Sequence, residues 1–308
     1  MNLSPITQTK LYGLENKFIE LSNLFINNNL PTKIILSGQK GIGKCTLAYH
    51  LINFVLSKYE VNSYDTNNYS INNENKSFKL VLNNSHPNFN LIDVLTDKKQ
   101  IDLSQIKLLI KNLSKSTFTT GPRIILIDNI ELLNRNSINA LLKILEEPTL
   151  NVHFILINNN KKILPTLLSR CLNFKIYLSN NEKLLVTENL LDGKIDSFIN
   201  KDLINYYSTP GNIYKIVKFG EDNNYDLHNL NLKEFIKIII KNVHYKKDVS
   251  LKYLFFDCIE SYLNKINSNI SLDFFSKYNY FLKKISDVEK FNLDEESLFM
   301  ELEKEMLN

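Results

Sequence analysis

Nine consecutive residues, Gly38-Gln-Lys-Gly41-Ile-Gly43-Lys44-Cys45-Thr46, have the types and spacing of a phosphate-binding loop. The glycines let successive backbone N–H groups curl around a phosphate, and the helix that follows adds the partial positive charge of its N-terminus. Lys44 would reach the β- and γ-phosphates. Three of the chain's eight glycines fall in this loop. One position breaks the pattern: the hydroxyl residue expected after the lysine, a ligand for Mg²⁺, is Cys45. A thiol is a soft ligand and suits a hard cation poorly. Thr46 is one residue on, about 100° round the helix, and cannot simply replace it. Two further residues could do chemistry. Asp128 ends the apolar run Ile124 to Ile127, at the carboxyl end of a strand, where open α/β sheets keep their ligand sites. Arg170, in Ser169-Arg170-Cys171, carries a planar, always-charged fork that lysine cannot copy.

Arginine is scarce: of 37 basic residues only Arg123, Arg135 and Arg170 are arginine, all within one stretch from Gly121 to Cys171. A chain poor in Arg, Ala, Gly and Pro and rich in Asn, Lys, Ile, Phe and Tyr points to an AT-biased coding sequence, which the base composition of the gene would test. In such a chain each retained arginine is informative.

The elements that must position these residues follow from periodicity. Leu14 to Leu30 reads as an amphipathic helix ending before Pro31, Lys33 to Ser37 as a strand, and Leu47, Leu51, Phe54 and Val55 mark the helix after the loop. Lys58 to Asn84 is polar and Asn-rich, and reads as an irregular surface insertion with an edge strand at Phe78 to Leu82. His86, beside Pro87, reads as a loop or packing residue. Asn90 to Val94 is a strand and Ile101 to Leu113 an amphipathic helix. Ile124 to Ile127 and Phe154 to Ile157 are buried strands of a parallel sheet. Between them lies a helix with Ile138, Leu141, Leu142 and Leu145 on one face, Ser137 as its cap and Pro148 as its stop. Pro165 to Ser169 form a helical turn, and Arg170 has no acidic partner near it in sequence.

Bulk properties exclude several classes. The 308 residues have room for two or three domains, and 44% hydrophobic content is ample for a core. A net charge of +4 is too small to indicate nucleic-acid binding by itself. Cys45, Cys171 and Cys258 lie far apart without a C-x-x-C pair, so disulfides and a structural zinc site are not expected. No apolar run approaches membrane length and the N-terminus lacks a secretory pattern, so a cytoplasmic protein with no membrane partner is expected.

Together, Gly38 to Thr46, Ile101-Asp102-Leu-Ser-Gln105-Ile106, Ile124 to Asp128, Asn139-Ala-Leu-Leu-Lys-Ile-Leu-Glu-Glu-Pro148 and Leu164-Pro165-Thr166-Leu-Leu-Ser169-Arg170-Cys171 resemble the AAA+ clamp-loader family, over about residues 1 to 175. The resemblance implies an α/β P-loop (AAA+) domain with a parallel sheet over residues 1–176, a small helical lid over 177–222, and an all-α collar domain over 223–308. It implies an ATP pocket formed by Gly38, Gly41, Gly43, Lys44, Cys45, Thr46 and Asp128, a nucleotide sensor near Asn158 or Asn159, and an arginine finger, Arg170, acting in trans on a neighbouring subunit's ATP site. The implied partners are other loader subunits in a hetero-pentameric ring, the sliding clamp indirectly, and primed DNA.

Three departures bear on activity. Family ATPases carry Asp-Glu at the second strand's end, whereas Asp128 is followed by Asn129; Glu131, two residues on, reads as an exposed helix-start residue. Thr209-Pro210-Gly211 is followed by Asn212 where active relatives have a sensing arginine. The insertion has no cysteine where many relatives carry a zinc module, so no zinc is expected. An assembly subunit with weak or absent ATPase activity is the expected reading, and an active motor subunit is the alternative. In the collar, Phe235 to Val243, Leu251 to Ile266, Leu272 to Val288 and Glu295 to Leu307 read as helices, with Phe255, Phe256, Tyr262, Phe274, Phe275, Tyr278, Tyr280 and Phe281 as core.

Overall fold

The computed structural model describes residues 3–95, 98–113, 121–147, 151–205, 207–246, 249–266, 272–291 and 293–307. It divides into two compact units: residues 1–186 with 209–211, and residues 187–208 with 212–308. The boundaries expected from the resemblance, at 176 and 222, are finer than this division into two.

In the first unit, α1 (Glu15–Ile26) precedes β1 (Lys33–Ser37) and α2 (Lys44–Leu56). Then come α3 (Lys76–Leu82), β2 (Phe89–Ile92), α4 (Leu103–Leu113) and β3 (Arg123–Ile127). After them follow α5 (Arg135–Glu146), β4 (Val152–Asn158), α6 (Pro165–Leu168) and β5 (Leu172–Lys175). The five described strands form one parallel sheet in the order β2-β3-β4-β1-β5. Ile34 to Leu36, Ile124 to Ile127 and Phe154 to Ile157 are buried, as uninterrupted apolar runs with helices on both faces require. Register decides what meets at the carboxyl ends. Ser37 pairs with Asn158 on one side and with Lys175 on the other, and Ile92 pairs with Ile127, so Asp93 and Asp128 emerge side by side.

Asparagine does much of the work that glycine does elsewhere. Among the described non-glycine residues with positive φ, Asn28, Asn84, Asn129, Asn151, Asn160 and Asn224 predominate. Its short polar side chain tolerates the left-handed region better than other residues do. Asn75, Asn134, Asn200 and Asn231 also cap helices, each accepting a backbone N–H. Helix α5 therefore starts one turn earlier than expected, from Asn134. Ser137 is inside it, fully buried, donating to the Ile101 carbonyl at 2.9 Å. The expected stop, Pro148, lies outside the described residues.

The Asn-rich insertion is ordered, and the expected edge strand at Phe78 to Leu82 is instead part of helix α3. Asn75 Oδ1 accepts from Phe78 N at 2.7 Å and the Glu60 carboxylate accepts from Lys76 N and Ser77 N, so the local sequence supplies a capped helix start. The backbone groups of Phe78 to Leu82 are used within this helix, and the sheet ends at β2 and β5. The segment folds over α2: His50 Nδ1 accepts from Tyr64 OH at 2.9 Å, His50 Nε2 donates to Gln8 O at 3.1 Å, and Asn53 Nδ2 donates to Asn75 Oδ1 at 3.0 Å. Phe18 stacks on Tyr64 with ring centroids 4.7 Å apart. A covered α2 is accordingly buried on almost every side.

The second unit is helical. α7 (Asn180–Leu191) carries the division after Val186, and α8 (Pro210–Asp222), α9 (Leu232–Lys241), α10 (Val249–Ile266), α11 (Leu272–Phe291) and α12 (Glu295–Leu302) follow. Ile195, Ile199 and Leu203 share one buried core with Phe235, Phe255 and Leu298. Asp202 ties this core's edge, accepting from Leu232 N at 2.7 Å and from Lys265 Nζ at 2.8 Å. Phe255, Phe256, Tyr262 and Phe281 are core residues, Tyr278 packs against the core, and Tyr280 is exposed. The side chains of Phe274 and Phe275 lie outside the described part. Among the described residues no helix is long and apolar enough to cross a membrane.

Candidate functional site

The glycine loop leaves β1 at Ser37 and returns as α2, with Gly41 and Gly43 at φ values of 86° and 94°. A Cβ at Gly38 would lie 2.3 Å from the Ile176 carbonyl oxygen, so only glycine fits there. Lys44 is 3% exposed, and its ammonium donates to the loop carbonyls of Gly38 at 2.9 Å and Gln39 at 2.6 Å. Burial lowers its pKa to about 8, although nearby Asp128 and Glu131 oppose the shift. The loop is pinned from outside: Thr209 Oγ1 donates to Lys40 O at 2.9 Å and Gly211 N donates to Gly41 O at 2.9 Å. A Cβ at Gly211 would lie 2.9 Å from the same Gly41 oxygen, which explains a glycine there.

Cys45 faces the end of β3. Its thiol lies against the Asp128 carboxylate, and burial followed by Asp128 raises the thiol pKa well above its ordinary value. Asp128 is itself pushed upward, first by burial and then by Asp93. Thr46 is half-buried and takes no part in this group. Mg²⁺, which the fold family implies, does not fit the donors present. A soft thiol stands where a hard oxygen ligand is needed, and the neighbouring Asp128 carboxylate is engaged by that thiol and by the Asn129 N–H.

Asn129 sits in the left-handed region (φ 54°) with every polar atom of its side chain committed. Its Nδ2 donates to Asp93 Oδ1 at 2.8 Å, its Oδ1 accepts from Asn159 Nδ2 at 2.8 Å, and its backbone N–H donates to Asp128 Oδ1 at 2.8 Å. Asn159 also holds Glu131, through Nδ2 to Oε1 at 2.8 Å and through its backbone N–H to Oε2 at 3.3 Å. Glu131 is thus half-buried and fixed, not the exposed helix-start residue expected from sequence. Of the two sensor candidates, Asn159 joins this network, whereas Asn158 donates to Lys161 O at 2.9 Å. A strand expected over Asn90 to Val94 hides Asp93 inside it. The strand ends at Ile92, and pairing with β3 then sets Asp93 beside Asp128.

Arg170 follows α6 with its side chain 30% exposed. Contrary to expectation it has an acidic partner: Nη2 donates to Glu146 at the end of α5, while Nη1 donates to Thr166 O at 2.7 Å. The pair was hidden because Glu146 and Arg170 belong to separate helices. Arg123 caps α4 through the carbonyls of Asn112 and Leu113, both at 3.1 Å. His86 makes a misleading constellation with Ser77 and Glu60. Its Nδ1 accepts from Asn88 N, so Nε2 carries the proton toward Ser77 Oγ, the reverse of what a serine nucleophile needs.

Residues 13–180 match the family model described as DNA polymerase III, delta subunit. The chain belongs to that family. It is 26% identical over 275 residues to DNA polymerase III subunit delta' of Buchnera aphidicola subsp. Schizaphis graminum, covering 83% of this chain and 79% of that relative. To subunit delta' of Pseudomonas aeruginosa it is 30% identical over 138 residues, 44% of this chain and 40% of the relative. A solved structure of a gamma subunit-related DNA polymerase III protein from Thermotoga maritima, 16% identical, shares the fold with a TM-score of 0.50 over 92% of this chain and 96% of that one. The clamp-loader resemblance read from the motifs and the α/β AAA+ fold class with a helical carboxyl-terminal part are borne out, and the similarity is to the delta-prime kind of subunit.

Proposed function

We propose that this clamp-loader subunit serves as an assembly member of a hetero-pentameric ring that loads a sliding clamp onto primed DNA, donating Arg170 to a neighbour's ATP site and hydrolysing little ATP itself. The observation that carries this reading is Asn129. Hydrolysis of the γ-phosphate needs a group that orients the attacking water and charge neutralisation around the phosphates. At position 129 there is an amide with both side-chain atoms already bonded to Asp93 and Asn159, and at position 45 a thiol. Arg170, by contrast, is partly exposed outside the sheet, held by the Thr166 carbonyl and the Glu146 carboxylate. An exposed ion pair such as that with Glu146 is worth only about 0–1 kcal/mol, so a stronger anion can draw the guanidinium away.

The alternative, an active motor subunit, is favoured by one observation: Glu131 is held by Asn159 and felt at Lys44. Turnover by the isolated chain separates the two. Negligible ATP hydrolysis is expected, unchanged by Lys44→Ala. Turnover comparable with an active loader ATPase, abolished by Lys44→Ala, would establish the motor reading instead. Co-purification with candidate loader subunits tests the assembly half.

A further inference from the structure

Two carboxylates, Asp128 and Glu131, act on Lys44 of the phosphate loop, and a third, Asp93, lies beside Asp128. Asp93 and Asp128 end neighbouring strands in register, and Asn129 bonds both, through Nδ2 and through its backbone N–H, each at 2.8 Å. Glu131 is fixed twice by Asn159. Asn129 and Asn159 are neutral, so the network immobilises these carboxylates without offsetting any charge. The cation that acts on Asp128 is Lys44, which is already bonded to two loop carbonyls. Tyr49, one turn beyond Cys45 on α2, is buried against the same group and brings no positive charge.

We propose that the loop takes a nucleoside diphosphate without a divalent cation, in preference to a nucleoside triphosphate–Mg²⁺ complex. The inference rests on the loop as a nucleotide site and not on the role of Arg170. The glycines, the α2 N-terminus and Lys44 remain suited to two phosphates. A third phosphate adds negative charge where Asp128 and Glu131 are held, and the donors present do not fit the cation that would offset it. One added charge about 8 Å from a fixed carboxylate, at an effective dielectric constant between about 20 and 80, weakens binding roughly two- to thirty-fold.

The test is isothermal titration calorimetry of the full chain with ADP and with ATP, each in MgCl₂ and in EDTA. ADP is expected to bind more tightly than ATP by at least about twofold, with Mg²⁺ changing the ADP Kd less than about twofold. Lys44→Ala should remove both signals, which locates the nucleotide in the loop. Glu131→Gln should narrow the ADP–ATP gap, and Cys45→Ser, which restores a hydroxyl ligand, should make ATP binding Mg²⁺-dependent. Circular dichroism melts verify that each variant is folded. Mg²⁺–ATP binding more tightly than ADP to the unmodified chain overturns the proposal, as does a folded Cys45→Ser variant indifferent to Mg²⁺. No heat with either nucleotide at millimolar concentration also overturns it, while leaving the Arg170 reading intact, because that is read in the assembled loader.

Discussion

Returning the missing glutamate, Asn129→Glu, should not create an ATPase, and it should destabilise the first unit. Asn129 gives one hydrogen bond to Asp93 and accepts one from Asn159. Replacing the donor amide with a carboxylate turns the first contact into repulsion. Two like charges about 4 Å apart at an effective dielectric constant near 20 repel by about 4 kcal/mol, and the lost hydrogen bond adds about 1 kcal/mol. Glutamate also tolerates the left-handed backbone at φ 54° less well than asparagine. Side-chain rotation and a raised carboxyl pKa relieve part of this, so a net loss of about 2–4 kcal/mol is expected at pH 8. The sign with pH follows. The new carboxyl has a folded-state pKa above its unfolded value, so its penalty is complete above the folded pKa and shrinks as pH falls through it. Urea unfolding of wild type and variant at pH 8 and pH 5, with ATP turnover of each, measures this. A variant as stable as wild type at pH 8, or one that gains turnover, refutes the argument that Asn129 is a structural link.

Other perturbations probe other parts. His50 is buried and neutral, its pKa lowered to about 4 by burial, so its contribution is complete above its ordinary value of 6.5 and is lost as pH falls toward 4. His50→Gln should therefore flatten the acid limb of the thermal-melt profile between those pH values; an unchanged limb contradicts the assignment. Asn75→Ala removes the α3 cap and the bonds to Asn53 and Asn62, and should lower stability by about 2–4 kcal/mol in urea unfolding. Gly211→Ala drives a Cβ to 2.9 Å from Gly41 O and should loosen the glycine loop, costing about 1–3 kcal/mol; hydrogen exchange should rise at Gly41 to Lys44.

Much of this molecule was legible in its sequence. The strands β1, β3 and β4 appear as unbroken apolar runs, and the glycine loop as three glycines and a lysine between a strand and a helix. What the sequence hid were side chains whose partners are set by pairing register and by separate helices. Asp93 became a neighbour of Asp128 only through the β2–β3 pairing, and Glu131 found Asn159 only across the sheet ends. Glu146 meets Arg170 across two helices. The insertion misled for a different reason. Polar residues there suggest a solvated loop, yet Tyr64 bonds His50, Asn53 bonds Asn75, and Tyr64 stacks on Phe18. Asparagine's double use, as cap and as left-handed residue, let a chain with eight glycines make these turns.

The central claim is that this subunit contributes an arginine to its neighbour and little catalysis of its own. It is tested most directly by the DNA- and clamp-stimulated ATPase activity of a reconstituted loader carrying Arg170→Lys, which keeps the charge and removes the planar fork. Trans-acting arginines in phosphoryl transfer are worth roughly 10³- to 10⁵-fold in rate, so turnover at the adjoining site should collapse while the assembled complex elutes unchanged. A loader that keeps full activity with Arg170→Ala contradicts the account.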